Sequence, residues 1–486
     1  MLLVVPFVMA MFVAMSLEGT HLLFTILFVV HVMLSAIAFN AAGGFSRIIG
    51  GYVCFFSVFT LIFGVFWKTV LGRAADTNLS APLLDITLYT ASVGMLLMIV
   101  YITKSLDFRR YSLADKLHAS DVDYSKIGLG CLISAFMIQF LDVVLGAAPG
   151  GILSIINQLN IFLPLGVLMS TIGAIQNSNG RHSVDLVSLF SIVLNIIMGS
   201  LAFSKQGMLE PIVCWVIAAA YMRFRLTTVT YIVLIPTLYF ALFMAAPISG
   251  LRTDVVTGSY TERVTILIHG LTHWDELKQR EAESDEFARE HSEGSTYFGT
   301  SQGGLVERST MLPVDDSLFL FTYNGHEDGY ETILWDFENW IPHFMLPDKR
   351  TGYTGNHYVH EMGGGLAEED NSTGISFSPV AEAYHVGGWV GVLILMPAIW
   401  LLFFITTDLT VGDITKSPWG LLVVILLIHA APESLLSGLI QSIAYGNLSF
   451  AFAMFFSIKL APVLGSLFSS TPAPPAPRFI ARPRSA

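Results

Sequence analysis

The chain has 486 residues, 53% hydrophobic and only 13% charged, where soluble domains carry about 25% charge. Side chains this apolar cannot cover a soluble globule, so that class is excluded and a polytopic membrane protein remains. The three cysteines, Cys54, Cys131 and Cys214, sit in apolar runs as small hydrophobes, not as a disulfide or zinc set. No basic, aromatic surface stretch points to nucleic acid, and no internal repeat stands out.

A spanning helix needs about 20 mostly apolar residues. Runs of that kind fall near 2–17, 22–40, 50–72, 83–103, 126–146, 150–172, 184–203, 208–222 and 229–247. Three more follow near 388–406, 418–437 and 446–468. The start lacks the basic segment of a secretory signal, so the first run is read as a retained span. The expected fold is therefore all-α and polytopic, with about 12 transmembrane helices and one large extracytoplasmic loop between spans 9 and 10. Four segments follow: an N-terminal bundle of about nine helices over 1–250, the loop over 251–386, a C-terminal bundle of about three over 387–470, and a tail over 471–486.

Lys and Arg in the short connections set the orientation. One set holds Arg47, Lys104, Arg109, Arg110, Lys116, Lys126, Arg181, Arg223, Arg225 and Lys416, and the tail adds Arg478, Arg482 and Arg484. The opposite set holds little beyond Arg73 and Lys205. The first set is expected to be cytoplasmic with both termini, and the loop extracytoplasmic. The net charge of −12 is unevenly shared: residues 251–386 hold 24 of the 37 acids and 8 of the 25 bases. An acidic loop is repelled by anionic headgroups, and a solvated surface accounts for it. The Pro-rich tail reads as disordered.

The loop has two halves. Residues 251–300 include a short polar helix around Trp274-Asp275-Glu276-Leu277, packed by Trp274, Leu277 and Phe287. Residues 308–386 are rich in aromatics, Gly and Pro, with Trp335, Phe337, Trp340 and Phe344 close together. Trp and Tyr favour the membrane interface, so this half is expected to fold onto the bilayer surface.

The second half resembles the O-antigen polymerases, or oligosaccharide repeat-unit polymerases. The residues that carry the resemblance are Ile341-Pro342, Pro347-Asp348-Lys349, and Ser378-Pro379-Val380-Ala381-Glu382-Ala383-Tyr384-His385-Val386-Gly387-Gly388-Trp389-Val390-Gly391 entering a span. It covers about 80 residues at motif level; elsewhere only the layout is shared. Departures are His343 where a base often follows Ile-Pro, Leu346 in place of Trp, and Arg350 in place of Pro. His429-Ala430-Ala431-Pro432-Glu433 retains an acid and a His where relatives often carry Arg.

The resemblance implies a membrane glycosyltransferase of the bacterial inner membrane. It would move a growing glycan from one undecaprenyl diphosphate carrier to the sugar end of another lipid-linked repeat unit. Such an enzyme is expected to be inverting, with no metal or other cofactor. A chain-length regulator and a flippase are the expected protein partners, with membrane lipid around it. An O-antigen ligase-like transferase and a transporter or flippase of lipid-linked sugars are the alternatives. Transporters commonly show internal repeats, and none is evident.

A departing lipid diphosphate needs cations or backbone N–H donors, and an acceptor hydroxyl needs a base or a polarising acceptor. Arg308 is the first cation candidate, with a salt bridge to Asp315 or Asp316 as the plainer reading. Lys349 and Arg350 either bind phosphate or snorkel at the interface. Glu382 is the candidate base, or else a helix N-terminal acid facing the dipole. His343, Tyr384 and His385 are candidates for sugar or diphosphate, Tyr384 equally for the aromatic belt. Ser376 and Ser378 are candidate caps. His429 and Glu433, four residues apart, can pair on one helix face, under the proposed site or as a structural pair. Within the membrane Asp142 also stands out. His357, His360 and Glu361 hint at a metal, but no second pair completes the set, and surface histidines are the expected reading.

Overall fold

The computed structural model describes residues 3–117, 122–145, 161–225, 228–240, 244–255, 259–291, 296–299, 304–307, 309–341, 345–346, 348–349, 353–364 and 374–468. Asp142 lies in a described helix, but its side chain, like that of Phe287, is outside the description. So are Arg308, His343, Arg350 and the tail. Every regular element among the described residues is helical. Among the described residues, six helices are long and apolar enough to cross a membrane: Leu22–Ala42, Ile48–Val70, Pro82–Leu106, Tyr124–Leu141, Pro379–Val411 and Leu435–Lys459. Four shorter apolar helices, Val4–Leu17, Phe162–Asn177, Leu186–Leu201 and Gly420–Glu433, also fall on predicted runs.

The chain forms two compact units. The first comprises Met1–Lys116 and Ala282–Leu448, the second Leu117–Glu281 and Ser449–Ala486. The polar segment 251–386 is therefore split. Its first part belongs to the second unit. There, a helix starts at the predicted Trp274, and Leu277 is buried beside Leu251 and Leu267 with Trp274 packed against them. That unit also holds a cavity of about 200 Å³ bounded by Leu251, Asp254, Ile266, His269, Leu277 and Arg280.

In the first unit we number the helices α1 (Val4–Leu17), α2 (Leu22–Ala42), α3 (Ile48–Val70), α4 (Pro82–Leu106), α5 (Leu312–Tyr323), α6 (Glu331–Glu338), α7 (Thr354–Glu361), α8 (Pro379–Val411), α9 (Gly420–Glu433) and α10 (Leu435–Lys459). The last enters the second unit from Ser449 onward. Between α3 and α8 the core is aromatic. The Trp400 indole N–H donates to the Tyr52 hydroxyl at 2.8 Å, and Phe56 and Phe404 pack edge-on against Trp400 and Tyr52. A buried Trp needs such a partner for its N–H.

Three of the long helices contain a π-helical turn: Val58–Ile62 in α3, Gly391–Leu395 in α8 and Ser442–Gly446 in α10. A π-turn frees backbone carbonyls that lipid cannot solvate. In α3, Met311 N–H donates to Phe59 O at 3.0 Å and the Thr310 hydroxyl to Thr60 O at 3.3 Å. In α10, the Asn447 amide donates to Ser442 O and Ile443 O.

The two ends of this unit differ in charge. One carries Arg47, Lys104, Arg109, Arg110, Lys116 and Lys416 near the turns 43–47, 107–117 and 412–419, joined by the bond from Ile414 N–H to Ser46 O. Arg47 is buried there in an ion pair with Asp408 of α8. At the other end, α5, α6 and α7 gather with the turn 71–81 and the start of α8. Asp316 accepts the N–H groups of Ser80 and Ala81, and Asp315 accepts Ser378 N–H at 3.0 Å.

The span predicted from residue 388 begins earlier, at Pro379. Ser378 caps it by accepting Ala381 N–H at 3.2 Å, and Pro379 suits the first turn because it lacks an N–H. The apolar run is masked in sequence by Glu382 and His385, which are nonetheless fully buried. The helix breaks at Gly387 and Gly388; Gly388 has φ 53° and ψ −139°, a conformation open to glycine.

Candidate functional site

Two turns of α8 precede that break, and they carry the best-matched motif. Glu382 and His385 are three residues apart, so they share a face. The Glu382 carboxylate accepts Ser437 N–H at 3.1 Å, Leu436 N–H, and the Tyr358 hydroxyl of α7 at 3.1 Å. Leu435, with φ 55°, interrupts the chain after α9, so the N–H groups at the start of α10 are unspent and point at this acid.

His385 lies beneath the loop helices. Its Nδ1 is 2.9 Å from the Thr322 hydroxyl of α5, and its Nε2 is 3.1 Å from Glu361 Oε2 of α7. The break at Gly387 and Gly388 releases the His385 carbonyl, which accepts Asp328 N–H at 3.0 Å. That bond draws the turn before α6 onto α8.

Asp328, His357 and Glu361 form the outer rim. His357 Nε2 is 3.3 Å from Asp328 Oδ1 and 4.0 Å from Glu361 Oε1. Asp328 Oδ2 accepts the Thr332 hydroxyl at 2.5 Å. Their side chains are 9%, 26% and 33% exposed, so the rim meets solvent while Glu382 and His385 do not. Burial alone raises the Asp328 carboxyl. The hydrogen bonds from His357 and Thr332 and the charges of His357 and His385 outweigh it and hold the group below its ordinary value. Asp336 of α6 is buried and, first through burial and then through the Glu382 charge, is pushed up to about 8. Nearby, Asp315 bonds Tyr89 of α4 as well as Ser378 N–H; burial raises it to about 6 against those bonds.

The other sequence candidates lie apart from this rim or outside the described residues. Tyr384 points to the opposite face of α8, edge-on to Phe319 at 5.9 Å and to Trp389 at 6.2 Å. Glu433 pairs with His429 at 3.2 Å. The Lys349 ammonium donates to Ile341 O at 2.7 Å and Asn339 O at 3.4 Å, closing the chain after α6. Arg308, His343 and Arg350 are the candidates the description leaves out.

Asp328, Tyr358, Thr322 and Asp336 had no sequence signal. His357 and Glu361 did: four residues apart on one helix, they share a face, whereas the eye falls on His357 and His360. No family model, no curated protein and no solved structure matches the chain. The fold and site thus define a helical protein with segments long and apolar enough to cross a membrane and a buried acid–imidazole cluster at one end of the longest described one, Pro379–Val411.

Proposed function

We propose that the chain is a membrane glycosyltransferase that polymerises undecaprenyl-diphosphate-linked repeat units into O-antigen or a similar surface polysaccharide. The observation that carries this reading is the start of α8. The segment resembling the repeat-unit polymerases bears Glu382 and His385, which hold a partly exposed rim of Asp328, His357 and Glu361 at the end of a span. Both substrates of such a transferase are lipid-anchored, so its reacting groups belong at headgroup level. In this reading the rim faces the substrates at that level. Glu382 and His385 hold the rim in place from below.

The basic end of the first unit then lies in the cytoplasm of a bacterial inner membrane, and the cluster lies outside. Arg308, Arg350 and His343 remain the side-chain candidates for the departing diphosphate, with a chain-length regulator and a flippase as partners.

Deletion of the gene in source cells tests the proposal. The expected result is surface glycan reduced to single repeat units, with elongation restored by purified protein supplied with the accumulated lipid-linked unit. Loss of all surface glycan, with the unit trapped on the cytoplasmic leaflet, points to a flippase instead. Free polymer that no longer reaches its lipid acceptor points to a ligase.

A further inference from the structure

We propose that Asp328, His357 and Glu361 form a binding site for a divalent metal ion. One ligand atom from each, a carboxylate oxygen, an imidazole nitrogen and a second carboxylate oxygen, lie within 4.8 Å of one another. Around an ion with bonds of about 2.0–2.2 Å, such atoms sit a little over 3 Å apart. The distances of 3.3 Å and 4.0 Å from His357 Nε2 to the two carboxylates are close to that spacing.

The outward oxygens are the ones that converge. Asp328 Oδ2 is held by Thr332, which leaves Oδ1 toward His357. Glu361 Oε2 is held by the buried His385, which leaves Oε1 toward His357. Hydrogen bonds to the far oxygen of a ligating carboxylate are how metal sites fix their ligands. The Asp328 backbone is itself pinned to His385 O. Three protein ligands with one solvent-facing side leave a position open for water or a substrate oxygen. One imidazole and two carboxylates suit a borderline ion, zinc or manganese, better than calcium or copper(I).

The role of that ion rests on the proposed transferase reading: a cation at the rim neutralises a lipid diphosphate as it leaves. Its binding does not depend on that reading. The metal would then replace the metal-independent mechanism expected from the resemblance.

The full-length chain, purified in detergent and stripped with a chelator, is titrated with Mn²⁺ by electron paramagnetic resonance and with Zn²⁺ by calorimetry, without glycan. The expected result is one saturable site. Asp328→Asn, His357→Ala and Glu361→Gln should each weaken it about tenfold or more, while His326→Ala, outside the rim, leaves it unchanged. Thermal unfolding of each metal-free variant verifies the fold, and Glu361→Gln preserves shape if His357→Ala does not fold. No saturable binding, or binding unaltered in His357→Ala and Glu361→Gln, overturns the site. Undiminished elongation in chelator by a chain that binds no metal overturns the site and leaves glycosyl transfer standing. Binding without elongation supports the site and counts against the transferase.

Discussion

The Tyr358 hydroxyl donates to Glu382 Oε1 at 3.1 Å, joining a loop helix to a membrane-spanning one through two buried side chains. The second Glu382 oxygen serves the start of α10, so three segments meet at one carboxylate. This bonding makes the acid a clamp. Glu382→Gln keeps a carbonyl oxygen for Leu436 and Ser437 and should retain most elongation activity. Glu382→Ala strands two buried N–H donors and should cost about 3–5 kcal/mol. Tyr358→Phe should cost about 1 kcal/mol. Unfolding in detergent, with elongation measured per folded molecule, checks all three. A well-folded Glu382→Gln with no activity would instead make Glu382 a proton acceptor in the reaction.

At the opposite end of the unit, Arg47 and Asp408 are ion-paired with side chains only 3% and 4% exposed. Arg47 Nε has no hydrogen-bond partner among the described residues. Removing one member leaves a buried charge, so Arg47→Ala should destabilise by about 3–5 kcal/mol. The double replacement Arg47→Met with Asp408→Leu should recover most of that loss, because two apolar side chains need no partner. Thermal unfolding of the two single variants and the double variant forms the cycle. A loss in the double variant equal to the sum of the losses in the two singles would mean that the pair is uncoupled.

The long helices were legible because uninterrupted apolar runs have few other uses: Leu22–Ala42, Ile48–Val70 and Pro82–Leu106 fall within a few residues of their expected positions. The start of α8 was not. Glu382 and His385 look like loop residues until Tyr358, Leu436 and Glu361 are seen to satisfy them. Half of the site was equally hidden. Asp328 reaches it through a carbonyl released by two glycines, a contact across 57 residues that no local pattern encodes. Lys349 illustrates the reverse: a charge that suggests phosphate is tied to two backbone carbonyls.

Asn447 offers a third test. Its amide donates to Ser442 O and Ile443 O of the π-turn and to the Thr406 hydroxyl of α8 at 3.0 Å, while its carbonyl accepts Thr410 at 2.9 Å. Leucine fills the space but leaves those carbonyls and hydroxyls in an apolar setting. Asn447→Leu should therefore lose about 2–4 kcal/mol despite its greater hydrophobicity. Should unfolding show Asn447→Leu as stable as the wild type, the π-turn carbonyls would not need this amide.

Asp336 sets the direction of the pH dependence. Burial and the Glu382 charge raise it from 3.8 to about 8, and Oδ2 has no hydrogen-bond partner among the described residues. The folded protein therefore keeps a proton that the unfolded chain releases from about pH 4 upward. This group's contribution to stability is complete below about pH 4 and is lost as the pH rises toward about 8, where the folded carboxyl also ionises. Asn at this position cannot ionise, so Asp336→Asn should flatten the fall in melting temperature between about pH 5 and pH 9. Its advantage over the wild type should be largest at the alkaline end. Thermal unfolding across that range measures it, and parallel curves for the two proteins would place the Asp336 carboxyl back in the ordinary range.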